Sequence, residues 1–200
     1  NKINDNRICR AAITPVQGDS EDYDFEAVAT PVGNSQTRYS YESGEYFNQV
    51  LKVDRSNIDT SRLDSGIPLF DNHPWDNSAS NTLGITTSYY FDERGLIVRC
   101  KFGARADEAL KQDVKNGIIK TMSIEGMVKN YSVERKVGEI PTYYAELWTP
   151  ESLSFAPVPN DIASQIEVKR ALSEQIERSK QNEKQEQQQK TILQSIISKF

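Results

Sequence analysis

The sequence predicts an α+β fold that is mainly β: a small barrel- or sandwich-like body with one or two packed helices, then a long C-terminal amphipathic helix. Three observations predict it. Short apolar runs with two-residue alternation, separated by Gly, Asn and Asp turn clusters, fill the first hundred residues. Only the stretch after Phe102 has clear helical spacing within the body. From Ile162 onward glycine and proline vanish, and the composition turns to Gln, Glu, Lys and Arg.

Taken in order, Ile8 to Val16 and Phe25 to Pro31 are the first two strand-like runs, with the acidic loop Gly18 to Asp22 between them. Gly33-Asn34-Ser35 is a polar turn before Thr37 to Tyr41, and a further run covers Tyr46 to Val53. Asp54 to Gly66 is turn-rich, with a short helix capped at Asp59 or Thr60. Ile67 to Phe70 is a brief apolar run with His73 just beyond it.

The clearest hairpin follows. Leu83, Ile85, Thr87 and Tyr89 alternate along one strand, and Asp92-Glu93-Arg94-Gly95 reverses the chain. Leu96, Val98, Cys100 and Phe102 alternate along the return, with Arg99 and Lys101 facing the other way. Arg105 to Asn116 reads as a helix with Ala106, Ala109, Leu110 and Val114 on one side. Asp107 and Glu108 suit its N-terminus, Lys115 its C-terminus, and Gly117 ends it. Ile118 to Val128 returns to strand character, with Met122, Ile124 and Val128 on one face and Thr121, Ser123 and Glu125 on the other. Leu153 to Pro157, bracketed by Pro150, Pro157 and Pro159, is the last strand of a body spanning residues 1–161.

Residues 162–200 form a second region. Apolar residues recur at Ile162, Ile166, Leu172 and Ile176 and again at Leu193, Ile196, Ile197 and Phe200, around the polar tract Lys180 to Lys190. This is a helix amphipathic at both ends and solvated in the middle. It cannot bury a core alone, so it should pack on a partner, a second copy included, or fray.

Composition narrows the function classes. The net charge is −5; seven Lys/Arg against five Asp/Glu from Ile162 on give the tail +2 and leave −7 on the body. A mildly acidic body with no basic stripe argues against nucleic-acid binding. No apolar stretch approaches the ~20 residues that span a bilayer, and no secretion signal opens the chain. Opening at Asn1 rather than methionine is what a processed product would show. Cys9 and Cys100 are too few for a disulfide framework and lack metal-ligand spacing, which suits a reducing cytoplasm. One histidine, two distant cysteines and scattered carboxylates supply no zinc site, and no glycine-rich phosphate cradle is present. No cofactor is expected.

His73 is the single histidine. If the chain activates a hydroxyl by imidazole, His73 must do it. Ser123 is the best nucleophile, because it sits on the polar side of an apolar strand where a sheet can hold it rigidly. The bland alternatives are a loop histidine packed beside Trp75 and a serine on a half-solvated strand. Cys100, on the inward face of its strand, reads as a buried inert thiol.

The order of segments resembles the tailed-phage prohead maturation proteases, serine peptidases distantly similar to herpesvirus assemblin. The likeness runs from residue 25 to 161 in five pieces: Glu45 to Leu51 with Asn57-Ile58-Asp59 and Arg62-Leu63; Ile67 to His73; Leu83-Gly84-Ile85 with Gly95-Leu96; Asp113 to Ile124; and Glu146-Leu147-Trp148 through Ser154 to Pro159-Asn160. It implies a serine endopeptidase with His73 as base and Ser123 as nucleophile. Scaffold protein and major capsid protein would be its substrates, with self-cleavage, inside an assembling procapsid in the host cytoplasm. Such proteases are sometimes fused to scaffold or capsid segments, and residues 162–200 would suit a scaffold-like or docking element, or a linker. The family often places an acidic residue and a serine in the closing strand, and this chain departs from it by reading Pro150-Glu151-Ser152-Leu153-Ser154 there; Glu151 is the first choice to orient the imidazole, with Ser154 or Asp76 as rivals. A second departure is at the serine itself: the family commonly has glycine two residues after it, where this chain has Glu125 and only then Gly126. A non-catalytic procapsid assembly module with the same fold is the competing expectation.

Overall fold

The computed structural model describes residues 7–15 as main chain, and residues 22–72, 78–119, 121–155, 175–178 and 180–191. Among these, nine strands form, with two short α-helices in the body and further helical residues in the tail, and the fold is α+β, mainly β, as the alternation predicts. The strands are β1 (Arg7–Pro15), β2 (Phe25–Pro31), β3 (Gln36–Ser40), β4 (Glu45–Leu51), β5 (Pro68–Phe70), β6 (Thr82–Asp92), β7 (Gly95–Phe102), β8 (Thr121–Glu134) and β9 (Thr142–Phe155). The helices are α1 (Ser61–Asp64) and α2 (Glu108–Lys115). Their order in the sheet is β3-β4-β9-β5-β6-β7-β2-β1-β8, and β8 pairs back onto β9. Seven strands therefore close into a ring from β9 through β5 to β8, which removes free edges as a small barrel does.

The chain divides into two compact units. The first (residues 1–36, 50–132 and 144–159) holds the ring and its core. Phe25, Ala27 and Ala29 of β2, Leu96, Val98 and Cys100 of β7, Met122 and Ile124 of β8, and Trp148, Leu153 and Phe155 of β9 fill the interior. Val114 of α2 joins them. The rings of Phe25, Phe102 and Phe155 lie 5.3 to 6.2 Å apart. Trp148 satisfies its indole N–H on the Lys52 carbonyl at 2.9 Å, which lets so large a ring be fully buried.

The second unit (residues 37–49, 133–143 and 160–200) holds β3, most of β4, the turn joining β8 to β9, and the tail. The Gln175 side-chain amide accepts from Tyr46 N–H at 2.7 Å and donates to Tyr46 C=O at 2.9 Å, copying a strand neighbour. Residues 175–178 and 180–191 are helical, and almost all of 180–191 is exposed, as its polar composition requires. The apolar ends of the predicted tail helix, apart from Ile176, lie outside the described residues.

The structure corrects four expectations. On β6, Ile85 is 45% exposed and Thr87 is exposed, while Gly84 and Thr86 are buried. A register shift between Thr86 and Ser88 against β7 reverses the alternation, so the four apolar positions share no inward face. Helix α2 starts at Glu108 rather than Arg105, because Asp107 caps it by accepting Leu110 N–H at 2.7 Å, and Ala109 faces out. It ends as predicted: Gly117 has φ +68°, Ile118 N–H reaches Asp113 C=O and Gly117 N–H reaches Val114 C=O. The strand after it starts only at Thr121 but runs past Val128 to Glu134. The closing strand begins at Thr142, eleven residues before Leu153, and takes Pro150 inside it.

Candidate functional site

Ser123 lies on β8, in register with Arg10 of β1. Its neighbours Met122 and Ile124 point into the core, so Ser123 and Glu125 share the opposite face. Ser123 is 7% exposed, more enclosed than a solvated polar face would leave it. The adjoining strand β9 follows the same rule. Leu153 and Phe155 enter the core, while Ser152 and Ser154 face away.

The two strands are joined on that face. Ser152 Oγ donates to Glu125 Oε2 at 2.9 Å. Gly126 brings β8 against the main chain of Thr149 and Pro150, where a Cβ would overlap the Thr149 carbonyl oxygen and stand 3.2 Å from Pro150 Cα. That close approach explains why the glycine of this segment stands at 126. Two further glycines of the ordered motifs do the same: Gly84 lies against the Lys101 carbonyl, and Gly95, at φ +130°, against that of Thr30. Those motif residues are fold residues.

β9 is hydrogen-bonded both to β8 and to β5. β5 runs parallel to it, with Leu69 opposite Leu153 and Phe70 opposite Ser154. The C-terminal end of β5, from which the chain continues through Asp71 and Asn72 to His73, is thus separated from the strand of Ser123 by β9 alone. His73 and Asp76 themselves lie outside the described residues.

The remaining candidates separate. Glu151 Oε1 pairs with Arg62 at 3.2 Å. The Ser154 hydroxyl is fully buried and has no hydrogen-bond partner among the described residues. Cys100 is buried in the core, and burial alone pushes its thiol well above the ordinary range, so it is no nucleophile. Asp59, beside this region, has its carboxyl held well below the usual range by the Lys129 ammonium, then by Ser61, and also receives Thr149 Oγ1–H at 3.3 Å. Sequence reasoning singled out neither Ser152 nor Arg62. The signal for Ser152 was present in the two-residue spacing of Ser152 and Ser154 and in an acidic residue, Glu125, that needed a partner on a half-buried strand. Among the described residues no group of three or more His, Cys, Asp or Glu could hold a metal ion, and no helix is long and apolar enough to cross a membrane.

The chain is similar to part of a phage major capsid protein. The relative is the major capsid protein of Halomonas phage phiHAP-1, 28% identical over 116 residues, which cover 56% of this chain and 19% of that protein. The chain therefore matches less than a fifth of the relative's length. No protein-family model and no solved structure matches the chain.

Proposed function

We propose that this chain is the serine endopeptidase of a phage procapsid, with Ser123 as nucleophile and His73 as its general base. In this reading His73 takes the Ser123 proton as the oxygen attacks a peptide carbonyl of a scaffold or capsid chain. Main-chain N–H groups near the serine stabilise the oxyanion, each by roughly 3–4 kcal/mol. Water then releases the acyl-enzyme.

The observation that carries the reading is the order β5-β9-β8. Two strand spacings, about 10 Å, separate the end of the strand leading to His73 from the strand of Ser123. An imidazole and a hydroxymethyl side chain can together bridge such a gap. For the third member, Ser154 is favoured over Glu151. Its buried hydroxyl lies on the Ser123 face and lacks a partner among the described residues, whereas the Glu151 carboxylate is engaged by Arg62. The likeness to a stretch of a capsid protein supports the capsid setting. A protease segment carried alongside a capsid segment would give such a match.

A second reading has its own observation. The relative is named as a capsid protein and not as a protease, which favours a non-catalytic assembly module that recruits capsid subunits or second copies through the tail. Intact-mass measurement of purified chain separates the two. The protease reading expects trimming within residues 162–200 that disappears in Ser123→Ala. Trimming that persists unchanged in that variant removes Ser123 from the mechanism.

A further inference from the structure

An acidic side chain two residues from a nucleophile, on the same strand face, is an electrostatic problem for acyl transfer. Two residues of strand put the Glu125 and Ser123 Cα atoms about 7 Å apart. The attacked carbonyl oxygen gains negative charge next to that serine, and a carboxylate swung toward it would raise the barrier. In the structure the carboxylate does not stand by itself: the buried Ser152 hydroxyl, on the neighbouring strand, holds Oε2 at 2.9 Å. Ser152 is buried, and Gly126 seats β8 directly on the Thr149–Pro150 main chain just before it.

We propose that Ser152 is a positioning residue of the Ser123 site, whose hydroxyl tethers the Glu125 carboxylate toward β9 and away from the developing oxyanion. This rests on the reading of Ser123 as the nucleophile. It assigns a role to a serine that touches neither substrate nor the reacting atoms, and it explains how the site accommodates an acid where the proteases it resembles commonly carry glycine. The hydroxyl acts through Glu125, so its removal is harmful only while the carboxylate keeps its charge.

The test is a double-mutant cycle on the full chain. The readout is the rate at which a fluorophosphonate probe phosphonylates Ser123, located by peptide mass; the serine oxygen bonds to phosphorus and fluoride leaves. Ser152→Ala should slow labelling about tenfold or more, and Ser152→Thr, which keeps the hydroxyl, should not. Glu125→Gln in the Ser152→Ala background should return the rate to within about threefold of wild type. A purely structural role for Ser152 predicts no such rescue. Wild-type labelling rates in Ser152→Ala overturn the inference, as does a double variant as slow as the single one. Both of those outcomes leave the protease reading intact. A wild-type chain that never labels at Ser123 overturns both.

Discussion

Replacing Gly126 by alanine tests how the face bearing Ser123 is built. A Cβ there would overlap the Thr149 carbonyl oxygen and lie 3.1 Å from the Thr149 carbonyl carbon and 3.2 Å from Pro150 Cα. All three are main-chain atoms of a paired strand, so no side chain can rotate away; β8 and β9 must separate. Overpacking of this kind costs about 1–3 kcal/mol, and obstruction by main chain puts the expected cost near the top, at about 3 kcal/mol. In a chain of this size that lowers Tm by roughly 6–12 °C. Gly117→Ala is the control: its cost comes from φ +68° alone, since nothing lies within 4 Å, and about 1 kcal/mol is expected. Urea and thermal unfolding followed by circular dichroism measure both. A Gly126→Ala variant as stable as wild type, or more stable than Gly117→Ala, refutes the close approach.

Other perturbations separate structural from functional residues. Phe155→Ala empties a fully buried site among aromatic rings and should cost about 3–5 kcal/mol in urea unfolding. Ser154→Ala should leave stability unchanged or raise it, because it removes a buried hydroxyl with no partner among the described residues. It should nonetheless reduce capsid-precursor cleavage if Ser154 orients His73; unchanged cleavage returns that role to Glu151 or Asp76. Arg62→Ala should change stability by less than about 1 kcal/mol, since the Arg62–Glu151 pair is partly exposed. Asp59 has a depressed carboxyl pKa in the folded chain, so its contribution is present above the ordinary carboxylate range and is lost as pH falls below it. Melts at pH 7, 4 and 3 should therefore show a shallower acid loss in Asp59→Asn than in wild type. In a Cys9→Ser background, Cys100 should resist a thiol reagent until denaturant is added, because its thiol is buried and kept protonated.

Alternation made most of the barrel legible. β2 and β7 follow the sequence pattern in that Phe25, Ala27 and Ala29, and Leu96, Val98 and Cys100, face the core; on the opposite face Ile97 is buried too, while Arg99 pairs with Glu26 and packs on Tyr23 and Tyr90. The helix end at Gly117 was equally readable, since its left-handed conformation favours glycine. Pattern failed where main-chain geometry overrode it. The bulge near Thr87 exchanges the faces of β6, and no residue type there announces it. Pro150 argued against a strand, yet β9 passes through it. Ser123 was singled out because it carries a hydroxyl on the polar side of an apolar strand, and β8 places it there. The Ser152–Glu125 bond was not, because it joins residues 27 apart that only the β8–β9 pairing brings together. The ring closure through the parallel β5–β9 pair was equally invisible, being a matter of register between strands over eighty residues apart.

The proposed attack of Ser123 on a peptide carbonyl, with His73 as base, has one decisive consequence: a capsid precursor is cut only when both residues are present. Co-expression of the full chain with an intact capsid precursor, followed by mass analysis of the products, tests it. Wild type should give defined precursor fragments, and Ser123→Ala and His73→Ala should each leave the precursor intact. The same fragments from Ser123→Ala, or an intact precursor beside a folded wild-type chain, would contradict it.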